Sequence, residues 1–225
     1  MTGDTSRYLP RTWAYQPAAV VVSLLIRLLG GSRTEGLENL PRTGPAIIVA
    51  NHYTLADPIV AGYATCWKIG RMVHMIAKVQ IKSWPLVGWI GRRAGVIYVR
   101  RGTSDLESQR ALLAVLAAGR PMIIFPEGTR SPTGALITAR NGAALLAMRS
   151  GAAIVPVGIT GTEGMLSWRA VFGPRPRATV RIGQPFTLHH RADGPIDRAE
   201  LTEATTRIMR EVAALLPPAR RGVYG

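Results

Sequence analysis

The sequence predicts an α/β fold: a central, mostly parallel or mixed sheet flanked by helices and preceded by an N-terminal helix. Short runs rich in β-branched residues alternate along the chain with longer helical stretches, the order expected of a wound sheet. Several of the β runs are apolar without interruption, among them AIIVA at 46–50 and MIIF at 122–125. That is the pattern of strands covered on both faces. The length of 225 residues suits one large domain, and no interior linker is long or polar enough to divide it. The chain therefore divides into an N-terminal helical segment, 1–33, and one α/β domain, 34–225.

The first element comes from an uncharged stretch running from Thr12 to Ile26. Fifteen helical residues at about 1.5 Å each reach roughly 22 Å, short of the ~30 Å hydrocarbon core, so a simple transmembrane span is not expected. Arg27 interrupts the apolar run and no small-residue cleavage site follows, which argues against a secretory signal. Two readings remain, a helix docked on the core and a helix lying in a membrane interface. Trp13 and Tyr15, close to Arg7 and Arg11, favour the membrane-associated reading, since amphipathic aromatics beside basic residues suit an interface.

After the Gly30-Gly31-Ser32 break, strands are expected over 46–50, 72–77, 95–99, 122–125, 153–159 and 178–182, and helices near 58–67, 103–119, 141–150 and 197–215. Ser104 with Glu107, and Asp197 with Glu200, have capping-box spacing. Gly119 ends one of these helices and Pro217-Pro218 the last.

Lys and Arg number 28 against 13 acids, a net charge of +15. Such an excess predicts an anionic partner, whether nucleic acid, an acidic membrane surface or a phosphorylated substrate. The single cysteine, Cys66, excludes a disulfide framework and any CxxC pair. No Gly-Lys of a phosphate-binding P-loop, no GxGxxG and no HExxH occurs, so neither a nucleotide cofactor nor a metal is expected.

In sheets of this kind ligands bind beyond the carboxyl ends of the strands. Three strand ends carry unusual residues: Asn51-His52-Tyr53-Thr54-Leu55-Ala56-Asp57-Pro58, then Arg100-Arg101, then Pro126-Glu127-Gly128-Thr129-Arg130. Asp57-Pro58 starts a helix, with Asp57 as its cap. His52 and Asp57 would lie about 140° apart on one continuous helix, so they meet only if a turn between them enters that helix. A carboxylate so placed accepts the proton of one ring nitrogen and leaves the other as a base. Arg130 and Arg101 offer guanidinium clamps for a phosphate.

Together Asn51-His52-x4-Asp57, Gly95-x-Ile97-x3-Arg101, Phe125-Pro126-Glu127-Gly128-Thr129-Arg130-Ser131 and Val155-Pro156-Val157 occur in the order seen in the glycerolipid acyltransferase family. From about Gly36 to about Thr187 the chain resembles the bacterial 1-acylglycerol-3-phosphate (lysophosphatidate) acyltransferases. Thr54 stands where a Ser is frequent, Arg140 replaces a usual Lys, and Arg100 sits where an acidic or neutral residue is common. The resemblance implies His52 as general base and Asp57 as its orienting partner. It also implies a substrate-binding region built from Asn51, Gly95, Arg101, Glu127, Gly128, Thr129 and Arg130. The implied reaction moves an acyl group from an acyl thioester, acyl-CoA or acyl-carrier protein, to the free hydroxyl of lysophosphatidate. No resident cofactor is needed, and the partners would be that donor, a lysophospholipid and an anionic membrane surface, with no nucleic acid. The implied location is the cytoplasmic face of the cell membrane, held peripherally. Other acceptors remain as alternatives, namely another lysolipid or glycerol-3-phosphate. So do a basic module binding anionic lipid or nucleic acid without catalysis, and a thioesterase in which His52 activates water.

Overall fold

The structure is a computed structural model that describes residues 12–28, 30–83, 88, 91, 95–99, 106–167, 177–188 and 196–225. Its chain order is α1 (Thr12–Leu28), β1 (Ser32–Glu35), β2 (Ala46–Ala50), α2 (Asp57–Gly62), β3 (His74–Lys78), β4 (Val96–Val99), α3 (Leu106–Ala117), β5 (Met122–Ile124), α4 (Gly142–Ser150), β6 (Ala153–Thr160), β7 (Ala178–Ile182) and α5 (Arg198–Ala214). The seven strands form one sheet in the order β1-β7-β6-β2-β5-β3-β4. β6, β2, β5, β3 and β4 run parallel, β7 is antiparallel to β6, and β1 is parallel to β7. The sheet is thus mixed, with five parallel strands and a reversed pair at one edge.

Side-chain alternation along the strands explains both layers. Ile47 and Val49 of β2 point to one face, where they pack with Met122, Ile154 and the apolar sides of α3, α4 and α5. Ile48 and Ala50 point to the other face, where Val155, Val157, Ile26 of α1 and Val60 and Ala61 of α2 cover them. All five residues of β2 are fully buried, as an uninterrupted apolar strand between two helical layers has to be.

β1 was not among the expected strands, because SRTE has no apolar run. It is an edge strand held by backbone pairing to β7, with Glu35 bridging Arg33 at 2.9 Å and Arg181 on β7 at 3.0 Å. The helix expected near 58–67 is α2 followed by a π-helical turn, Tyr63–Trp67. Ser104, expected to cap α3, lies outside the described residues, as do Arg7 and Arg11. Asp197 caps α5 by accepting a hydrogen bond from the Arg198 amide at 2.6 Å. α1 packs inward through Val22 and Ile26, and no helix among the described residues is long and apolar enough to cross a membrane.

Candidate active site

β2, β5 and β6 are adjacent and parallel, so the loops leaving their carboxyl ends converge. β2 leads to His52, β5 to Glu127–Arg130 and β6 to Thr162 and Glu163. Between His52 and α2 the chain makes the turn that brings His52 Nδ1 to 3.1 Å from Asp57 Oδ2. Asp57 is the first residue of α2 and not its cap, a position held by Ala56. Its carboxylate instead closes the turn before the helix, accepting from the Tyr53 amide at 2.5 Å and the Thr54 amide at 2.6 Å on Oδ2. Oδ1 accepts from the Thr54 hydroxyl at 2.9 Å and the Thr162 hydroxyl at 2.6 Å. Burial alone would raise the Asp57 pKa, but hydrogen bonds from His52, Thr162, Thr54 and Tyr53 outweigh it and hold the group below its ordinary value. Asp57 is therefore an anion at neutral pH. Because a carboxylate only accepts, His52 Nδ1 must carry the proton of the neutral ring, which leaves Nε2 able to accept one. The His52 side chain keeps 17% of its surface accessible against 1% for Asp57, so the imidazole can be reached while the carboxylate behind it cannot.

The His52 backbone is pinned as firmly as its ring. Its amide donates to Glu127 Oε1 at 2.8 Å and its carbonyl accepts from the Ser131 amide at 2.8 Å. The ring packs against Phe125 with centroids 4.6 Å apart. Glu127 Oε2 accepts from the Ile137 amide at 3.1 Å, so both oxygens of this buried carboxylate hold backbone. Its pKa is raised, chiefly by burial, against the lowering effect of those two amides. Asn51 is buried as well and forms a two-way bridge to Ile159 of β6, donating to its carbonyl at 2.9 Å and accepting from its amide at 2.7 Å. Both residues, expected among the substrate contacts, have their polar atoms committed to the scaffold around His52.

The remaining expected residues separate. Gly128 takes a left-handed φ of 70° in the loop after β5, its α-carbon facing the Arg140 side chain, so a side chain there would be strained and crowded. Thr129 and Arg130 are exposed on that loop. Gly95 does not reach the site: it precedes β4, at the amino-terminal end of the parallel strands, where its carbonyl accepts from buried His74 Nδ1 at 3.0 Å. Arg101 and Arg100 lie outside the described residues. Beside the His52–Asp57 turn a cavity of about 420 Å³ is lined by residues including Tyr53, Thr54, Arg130, Thr162 and Glu163. A larger shallow groove runs along α5 alone, across the sheet from α2. Among the described residues no group of His, Cys, Asp and Glu is placed to hold a metal ion.

Thr162 was not singled out from the sequence, and Phe125 only as the first residue of the Phe125–Ser131 motif. Thr162 sits 105 positions from Asp57, and only the parallel pairing of β6 with β2 brings them together. Phe125 was visible as the end of an apolar strand and the start of a motif, but its packing on the His52 ring was not.

The acyltransferase family model matches residues 31–160, more than half of the chain and inclusive of every residue of the His52–Asp57–Glu127 constellation. The chain belongs to the acyltransferase family. It is 30% identical over 185 residues to a lyso-ornithine lipid O-acyltransferase of Pseudomonas aeruginosa, covering 74% of this chain and 67% of that protein. It is 34% identical over 144 residues to a chloroplastic 1-acyl-sn-glycerol-3-phosphate acyltransferase of Arabidopsis thaliana, covering 59% of this chain and 39% of that one. The chain thus spans about two fifths of the plant relative's length. The crystal structure of the 1-acyl-sn-glycerophosphate acyltransferase PlsC from Thermotoga maritima superimposes with a TM-score of 0.67 at 23% identity, over 96% of this chain and 82% of that one. The acyltransferase chain and PlsC share a fold, including the mixed sheet and its helical layers.

Proposed function

We propose that the chain transfers a fatty acyl group from an acyl thioester to the free hydroxyl of lysophosphatidate, giving phosphatidic acid, with His52 as general base and Asp57 orienting it. The observation that carries this reading is the 3.1 Å contact between His52 Nδ1 and a buried, anionic Asp57 beside a cavity lined by Arg130. The acceptor oxygen attacks the thioester carbonyl carbon while its proton passes to His52 Nε2. Asp57 stabilises the imidazolium that forms. The tetrahedral intermediate then expels the thiolate, which takes the proton back from His52 and leaves as the free thiol. No covalent enzyme intermediate is required.

Arg130, with Arg101 following β4, would hold the acceptor phosphate by charge-assisted hydrogen bonds. Glu127 and Asn51 act by fixing the loop on which His52 stands, Gly128 by permitting the turn, and Thr129 lies beside Arg130 on its exposed rim. The donor is acyl-CoA or acyl-carrier protein, both anionic and both suited to a chain of net charge +15. Val20, Val21, Leu24 and Leu28, exposed on α1, would enter the headgroup region of an anionic membrane on its cytoplasmic face. A second acceptor class is supported by the Pseudomonas relative, whose name specifies a lyso-ornithine lipid.

An acceptor screen tests the reading. Labelled acyl-CoA and acyl-carrier protein are each offered with lysophosphatidate, glycerol-3-phosphate or lyso-ornithine lipid, using the wild-type protein and His52→Ala. Phosphatidic acid should form only with lysophosphatidate present and fall by about 10²- to 10⁴-fold in the variant. Thioester loss without acceptor would instead identify a hydrolase. Inactivity with retained, salt-sensitive binding to acidic vesicles would leave a non-catalytic lipid-binding module.

A further inference from the structure

Glu163 stands in the same cavity as Arg130. An unpaired carboxylate there would oppose any anionic headgroup that Arg130 attracts, because like charges brought together in a partly desolvated site repel strongly. The carboxylate is not unpaired. Arg220, 57 positions further along, donates from Nη2 to Glu163 Oε1 at 2.5 Å. Its guanidinium also lies over the Tyr53 ring, 4.9 Å from the centroid. The two side chains keep 32% and 38% of their surface accessible, so the pair is half-buried and only partly screened by solvent.

Arg220 does not arrive by chance of a flexible surface side chain. It belongs to a short 3-10 turn, Pro218–Arg220, whose neighbours are stitched to the stretch that follows the Glu127–Arg130 loop. The Leu136 amide donates to the Arg220 carbonyl at 3.0 Å, the Val223 amide to the Leu136 carbonyl at 3.3 Å, and the Ala139 amide to the Tyr224 hydroxyl at 2.9 Å. Gly134 makes room for the guanidinium, since a Cβ there would collide with Arg220 Nη1. The cation is held in place before any ligand binds, which lowers the entropy lost in keeping the pair formed.

Building on the acceptor reading above, we infer that the Glu163–Arg220 pair sets the acceptor specificity of the cavity: Arg220 cancels the Glu163 charge, so that among the described lining residues Arg130 sets the sign and an anionic headgroup is preferred over an amine-bearing one. The segment from Pro218 to Tyr224 is then part of the acceptor site, although it lies outside every motif that carries the family resemblance.

The test is steady-state kinetics with lysophosphatidate and with lyso-ornithine lipid on the wild type, Arg220→Ala, Arg220→Lys, Glu163→Gln and the Arg220→Ala/Glu163→Gln double variant, each checked for folding by thermal melting. Arg220→Ala should raise the lysophosphatidate KM about five- to tenfold with the thioester KM unchanged, and should narrow the preference against lyso-ornithine lipid. Removing the exposed carboxylate as well should return the lysophosphatidate KM to within about twofold of wild type, and Arg220→Lys should hold it there, because charge and not shape is at stake. A double variant as impaired as Arg220→Ala would overturn the inference and leave Arg220 as a brace, and so would an unchanged KM in Arg220→Ala. A wild type that acylates no lysolipid at all would overturn the acceptor reading itself, a result separate from either.

Discussion

At the scale of single residues, the site turns on how many donors one carboxylate can collect. Asp57 accepts from His52, the Tyr53 and Thr54 amides, and the Thr54 and Thr162 hydroxyls. That set fixes which oxygen faces the imidazole and keeps the charge in place despite burial. Thr162→Val removes one donor at nearly constant volume and leaves Oδ1 with Thr54 alone. A hydrogen bond to a charged group contributes about 1.5–3 kcal/mol, and each 1.4 kcal/mol is tenfold in rate, so kcat should fall about tenfold. Thr162→Ser should restore it. A kcat equal to wild type in a Thr162→Val protein that melts normally would show that Oδ1 needs no second hydroxyl. The His52–Asp57 pair was legible because its logic is local: five positions, a proline behind the acid, and a turn between. Thr162 was not legible, since its place depends on strand pairing across a hundred residues. Glu127 and Asn51 were legible as neighbours of His52, but the backbone groups they hold were not. Their residue types suggest ligands, whereas their burial turns them toward backbone donors and acceptors.

At the scale of elements, α1 shows why the sequence supported two readings of one helix. Val22 and Ile26, four positions apart, face the core, and Ile26 keeps only 3% of its surface exposed. Val20, Leu24 and Leu28 are offset by two positions, about 200° around the helix, and are all more than half exposed. One face docks while the other is left for something apolar. Val20→Ser/Leu24→Ser should therefore weaken co-sedimentation with anionic vesicles while leaving the melting temperature near wild type. Ile26→Ser should do the reverse and destabilise the domain by about 2–4 kcal/mol, since it empties a packed position. Equal vesicle binding by the Val20/Leu24 variant and the wild type would show that this face of α1 makes no membrane contact. Other elements were read with uneven success for similar reasons. The uninterrupted apolar strands were plain, but β1, with Arg33 and Glu35 on an edge, carries no hydrophobic signal. Gly95 belongs to a motif whose arginine follows the strand. The motif does not say that a glycine four residues of β4 earlier, at about 3.3 Å each, stands at the opposite end of the sheet from His52.

At the scale of the whole molecule, parallel strand order separates two kinds of buried titratable group, and acid stability follows from both. At the carboxyl end Asp57 has a lowered pKa, so its contribution is present above about 3.8 and is lost only as the pH falls through that lower folded value. Glu127 has a raised pKa and works in the opposite sense, its folded form favoured as the pH falls toward 4.5. At the amino-terminal end His74 is fully buried, donates from Nδ1 to the Gly95 carbonyl, and finds no partner for Nε2 among the described residues. Burial, helped by the charge of Arg120 and opposed by the Gly95 bond, lowers its pKa from 6.5 to about 4. Between those two values the unfolded chain binds a proton that the folded chain refuses, so stability must fall as the pH drops through that window and level off below it. A shift from 6.5 to about 4 corresponds to about 3 kcal/mol at 1.36 kcal/mol per unit. His74→Gln keeps an N–H for the Gly95 carbonyl but has nothing to protonate. Urea unfolding at pH 7.5 and at pH 4 should therefore show the wild type losing about 3 kcal/mol more than His74→Gln over the same interval, whatever the variant's stability at pH 7.5. The glutamate and aspartate contributions are common to both proteins and cancel in that comparison. Equal losses would mean that the imidazole takes up its proton as readily in the folded chain as in the unfolded one.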